Sequence, residues 1–166
     1  MEELLAPSVN VPSLDPQNFV DERLFAFLLH HEIHKATRLR YCLSILCLTP
    51  DLPPGEATLS LTNQLAKAAI GHVRATDVVS ILPPSCITLL LIDAETRNLR
   101  EILQRLRETL EPLSLTLGGN DRRFTLSVGG GCYPQTATNG NELLLQGLEL
   151  MSRAKAEGGN RLYLAS

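Results

Sequence analysis

The sequence predicts an α+β domain, a mixed and largely antiparallel five-stranded sheet covered by helices. Three observations predict it. Segments with apolar residues at helical spacing alternate with short continuous apolar runs of strand length. Two of those runs, Asp77 to Leu82 and Cys86 to Ile92, are separated only by a turn around Pro83-Pro84, so they form a hairpin. The 166 residues, 44% of them apolar, can bury a full core as one domain without staples.

The elements follow in chain order. Residues 1–17 carry Pro7, Pro12 and Pro16 without periodicity and read as an extended N-terminal segment, leaving 18–166 as the single domain. From Phe19 to Leu39 the apolar residues Leu24, Phe27, Leu28 and Ile33 recur near helical spacing, and Tyr41 to Leu48 is a buried strand. After the break at Pro53-Pro54-Gly55, Leu61, Leu65, Ala68, Ala69 and Val73 mark a helix ending near Gly71 to Arg74. The hairpin comes next, and its Pro-Pro turn lacks the positive φ of the usual two-residue turns. Leu99, Ile102, Leu103, Leu106 and Leu110 give an amphipathic helix, and Leu113 to Leu117 adds a short strand. Phe124, Leu126 and Val128 alternate with Thr125 and Ser127 as a half-buried strand. The last helix points Leu143, Gly147, Leu150, Met151 and Ala154 inward and stops at Gly158-Gly159, before a final strand from Arg161 to Leu164.

A formal charge of -3 gives no basic field, which argues against nucleic-acid binding through phosphate neutralisation. Cys42, Cys47, Cys86 and Cys132 have neither disulfide nor zinc spacing and read as small buried thiols of a reducing cytoplasm. No window approaches the roughly 18 apolar residues of a membrane span, and the acidic N-terminus is no signal peptide. The expectation is a cytoplasmic protein without membrane insertion. His30, His31 and His34 form an H-H-x-x-H cluster with His30 and His34 at i, i+4, but no third inward ligand is evident, so a polar helix face is the expectation rather than a metal site.

Two stretches carry a family resemblance. Arg74-Ala-Thr-Asp77, five residues, the turn Pro83-Pro84-Ser85-Cys86-Ile87 and an apolar strand have the layout of the signature of GGDEF domains, the bacterial diguanylate cyclases. At the far end, Ser127-Val128-Gly129, Tyr133-Pro134, Glu142-Leu143-Leu144, Arg153-Ala154-Lys155 and Gly158-Gly159-Asn160-Arg161 resemble the family's closing pattern. Order and spacing agree over roughly residues 15 to 164. The resemblance implies a ferredoxin-like core with an extra strand.

It also implies chemistry that these residues do not support. A diguanylate cyclase uses two metal ions to assist attack of a 3′-hydroxyl on an α-phosphate, and hard carboxylate oxygens must hold them. By alignment with the family, Thr49 stands where the strand aspartate is expected, and Ser85 and Cys86 stand where the acidic pair of the turn is expected. Asp51 matches a second family aspartate, but Pro53-Pro54-Gly55 replaces the residues that contact base and ribose. Pro83 and Pro84 replace turn glycines that let the backbone approach the nucleotide. The expectation is therefore no enzyme, no cofactor and no catalytic residue. Lys155 and Arg161 match phosphate-contacting positions of active relatives and read here as a solvated helix end.

What remains is the position of the family's inhibitory site for cyclic di-GMP. The resemblance places Arg74 and Asp77 in it, with Arg105 completing it from the following helix and Arg107 and Arg100 as neighbours. An arginine fork suits phosphate or a guanine edge, and a carboxylate accepts from guanine N–H groups. Against this stands the plainer account in which Arg74 caps a helix end and Asp77 begins a strand. The expected function is a catalytically inactive cyclic di-GMP receptor that changes association with a partner protein or a second copy. The alternative is a protein-binding scaffold that takes no nucleotide, with Pro83-Pro84 and the loop at Pro53-Pro54 as its contact edge, a reading favoured by the apolar turn Ile81-Leu82-Pro83-Pro84.

Overall fold

The computed structural model describes residues 18–112, 115–117, 120–122 and 124–166. The extended segment expected over 1–17 lies outside the described residues. Helix α1 spans Glu22–Leu39, β1 Leu43–Pro50, α2 Glu56–Ile70, β2 Val78–Leu82, β3 Cys86–Ile92, α3 Thr96–Leu110, β4 Leu115–Leu117, β5 Asn120–Arg122, β6 Leu126–Tyr133, α4 Gly140–Ala156 and β7 Leu162–Leu164. The main sheet has five strands in the order β2-β3-β1-β6-β7. Every pairing in it is antiparallel except β6 with β7. This is the mixed, mostly antiparallel sheet covered by helices that the sequence predicts. The short pair β4-β5 stands apart as its own two-stranded sheet, and β5 has no counterpart among the expected strands.

The sheet is buried on both faces because helices lie on each. Leu46 and Leu48 of β1 join Leu61 and Leu65 of α2 and Leu99, Leu103 and Leu106 of α3 in one core. Ile45 and Cys47 join Phe25, Leu29 and Ile33 of α1 and Leu143 and Met151 of α4 in the other. Strand β6 is consequently buried along its whole length, Ser127 included. The half-buried alternation expected for Phe124–Val128 fails because α4 covers the face that was to meet water.

Helix α1 corrects a second expectation. Its inward stripe is Phe25, Leu29, Ile33 and Ala36, capped by Asp21, whose carboxylate accepts from the Leu24 N–H at 2.8 Å. Leu24 and Phe27, expected inside with Ile33, are 44% and 64% exposed.

Close backbone approach fixes α4 on the sheet. A Cβ at Gly129 would sit 2.2 Å from the Gly147 carbonyl oxygen and 2.3 Å from the Met151 nitrogen. Glycine at 129 admits this approach of the α4 backbone, and Gly147 in turn makes room for Cys47 and Ile45 of β1, whose side chains a Cβ there would meet at 2.8 and 3.0 Å. Between β2 and β3 the register Leu82↔Cys86 leaves Pro83, Pro84 and Ser85 as the turn, with a cis Pro83-Pro84 bond. Leu82 and Cys86 are buried and only the two prolines are exposed. Of the apolar edge expected here, Pro83 and Pro84 are at the surface, as are Pro53 and Pro54, while Leu82 is turned into the core.

Candidate functional site

The loop after α2, the end of β3 and the outer side of α3 enclose a cavity of about 490 Å³. Arg74, Asp77 and Arg105 all line it, so the structure brings the three expected residues together. Their roles differ. Asp77 is almost fully buried, and its carboxylate accepts from the backbone N–H groups of Arg74 and Ile92, each at 2.9 Å. Both oxygens are thus engaged by the chain itself, which fastens the 74–77 turn to the end of β3.

The Arg74 guanidinium lies 3.6 Å from Asp77 and donates to the Ile92 carbonyl, yet its side chain stays 61% exposed. Arg105 is exposed on α3. Arg107, the neighbour left open by counting, turns away and donates to the Leu126 carbonyl at 3.3 Å. Asn98 and Glu101 also line the cavity and escaped the sequence reading. Their signal is their spacing: 98, 101 and 105 fall on one helix face at three- and four-residue steps.

At the other end of the sheet, the Thr49 and Ser85 hydroxyls, both buried, lie 3.3 Å apart and hydrogen-bond one another. Cys86 is also buried, with its sulfur 3.3 Å from the Thr88 hydroxyl. Asp51 accepts from the hydroxyls of Thr125 and Ser127 at 2.5 Å and from the Asn160 N–H at 2.8 Å. It ties the end of β1 to the start of β6 and to the loop after α4. Gly159, at φ +74°, passes so close that a Cβ there would meet the Asp51 carboxylate at 2.7 Å. Lys155 donates to the Leu52 carbonyl at 3.0 Å, and the exposed Arg161 donates to the Tyr163 hydroxyl at 3.3 Å.

No curated protein sequence matches the chain. The family model for the diguanylate cyclase GGDEF domain matches residues 56–161, more than half of its length. The chain belongs to the GGDEF domain family. Among solved structures, it is similar to the GGDEF domain of PA1120 (TpbB or YfiN) from Pseudomonas aeruginosa. That domain is 22% identical over 89% of this chain and 91% of its own, with a TM-score of 0.76. The diguanylate cyclase SiaD from the same organism, solved in complex with its activator SiaC, is 18% identical over 87% of this chain and 58% of its own, TM-score 0.77. The GGDEF domain of DgcB from Caulobacter crescentus, solved in complex with c-di-GMP, is 12% identical over 89% of this chain and 91% of its own, TM-score 0.72.

Two-metal chemistry in a GGDEF domain calls for carboxylates at the end of β1 and in the β2–β3 turn. The residues this GGDEF domain offers there do not fit a magnesium pair. Neutral hydroxyls occupy both positions and bond each other, while Asp51 is spent on three protein donors. Among the described residues no group of three His, Cys, Asp or Glu side chains is placed to hold a metal ion.

All four cysteines are free, three of them buried. A hydrogen bond with Cys86, together with burial, holds the Cys47 thiol well above its ordinary range, and burial pushes half-buried Cys42 up to about 11. Among the described residues no helix is long and apolar enough to cross a membrane.

Proposed function

We propose that this GGDEF domain carries out no cyclase reaction and binds cyclic di-GMP in the cavity between the 74–77 turn and α3. The observation that carries the reading is the placement of Arg74. Its backbone is locked by a buried carboxylate while its guanidinium stays exposed at a cavity that Arg105 also lines. A preorganised cation loses little entropy on meeting a phosphate. In this reading Asp77 serves by holding the turn, and ligand contact falls to Arg74 and Arg105. The complex of DgcB with c-di-GMP supports the ligand class. Loss of catalysis is supported by the Thr49–Ser85 pair and by the prolines of the turn, since metal binding and close backbone approach both lack their means.

Binding acts on a partner protein or a second copy only through different affinities for two states. Equilibrium titration with cyclic di-GMP tests the reading. Arg74→Ala and Arg105→Ala should each weaken binding about tenfold or more, as expected for loss of a charge-assisted hydrogen bond. Equal affinity in both variants would remove the site, and cyclic di-GMP formed from GTP and Mg²⁺ would remove the inactive reading.

A second reading, a scaffold without nucleotide, is favoured by a different observation. Leu24, Phe27 and Leu39 of α1 are 44%, 64% and 63% exposed. SiaD, a relative by fold, is solved with a protein activator. Absence of any nucleotide binding, with capture of a partner lost on Phe27→Ser, would favour it.

A further inference from the structure

We propose that His30 and His34 form a two-imidazole zinc site on the exposed face of α1, separate from the cavity and the turn. The helix sets the spacing, because side chains four residues apart stand over one another on one face. The two Nε2 atoms lie 3.3 Å apart, with the rings edge to face at 86° and centroids 4.8 Å apart. This separation is compatible with zinc, since two nitrogens each about 2.05 Å from a tetrahedral ion lie about 3.3 Å apart.

Without metal, the two Nε2 atoms share one proton, so one ring donates and the other accepts. On zinc binding the donor ring changes tautomer, its proton leaving Nε2 and a proton being taken up at Nδ1, so that both Nε2 atoms become ligands and each neutral ring carries one proton on Nδ1. The two positions left on a tetrahedral ion are open to water. His31 takes no part. Its ring lies parallel to that of Phe27, 6° between planes and 6.0 Å between centroids.

The site stands or falls independently of cyclic di-GMP binding. Calorimetric titration of the untagged full chain with zinc chloride tests it, and all three histidines are exposed, so their variants should fold. His30→Gln and His34→Gln should each weaken zinc binding at least about tenfold, since one imidazole alone cannot chelate. His31→Gln should bind as the wild type does. In proton NMR, the ring signals of His30 and His34 should shift with zinc while those of His31 do not. No binding at millimolar zinc, or equal loss in the His31 variant, would overturn the proposal.

Discussion

Individual residues decide this domain's chemistry by what they already hold. Thr49 and Ser85, which in the proposed reading stand in place of metal-binding carboxylates, present two hydroxyls that satisfy each other. Restoring one acid does not restore a site. Thr49→Asp would bury a charge whose nearest partner is a neutral hydroxyl, and should cost about 2–5 kcal/mol of stability, measured by urea unfolding, without producing turnover. Gly129 is decisive for a different reason. Its missing side chain leaves room for the α4 backbone, and main-chain atoms at 2.2 and 2.3 Å cannot rotate aside. Gly129→Ala should therefore destabilise by at least about 3 kcal/mol. The Ser-x-Gly pattern was visible in the sequence, but nothing local indicated that Gly147 would be its partner. Asp51 was legible as a family position and not as a structural tie, because Thr125 and Ser127 lie more than seventy residues away in the chain.

Among the elements, α3 was easily read because, Ile102 apart, charged or polar residues fill the positions between Leu99, Leu103, Leu106 and Leu110, leaving one apolar stripe. Helix α1 was misread because it has two. Leu24, Phe27 and Leu28 compete with Phe25, Leu29 and Ala36, and only packing against β1 and α4 chooses between them. The choice has a measurable consequence. Leu29→Ala should cost about 2–4 kcal/mol, and Leu24→Ala less than about 1 kcal/mol, by thermal or denaturant unfolding. Similar costs at both positions would mean that α1 packs in the other register. The length of β6 was also underestimated, because its continuation through Gly129-Gly130-Gly131 looks unlike a strand until β1 on one side and α4 above are in place.

At the scale of the whole molecule, the sequence showed alternation of helices and strands, and the hairpin, but not the strand order. Placing β1 between β3 and β6 depends on pairings across the chain that no local pattern encodes. That order separates two ends of the molecule. At one, the β1 end and the β2–β3 turn are joined by the hydrogen-bonded hydroxyls of Thr49 and Ser85. At the other, Arg74 and Arg105 border a cavity, a pairing that counting residues anticipated and the fold brings about. The central claim is that this second end alone binds nucleotide. It is tested most directly by following the backbone amide signals in two-dimensional NMR as cyclic di-GMP, and separately GTP with Mg²⁺, is added. Shifts confined to residues 71–77, 91–94 and 98–105 with cyclic di-GMP, and none with GTP, are predicted. Shifts centred on residues 49–55, 83–86 and 155–161 with either nucleotide, or no shift with cyclic di-GMP, would contradict it.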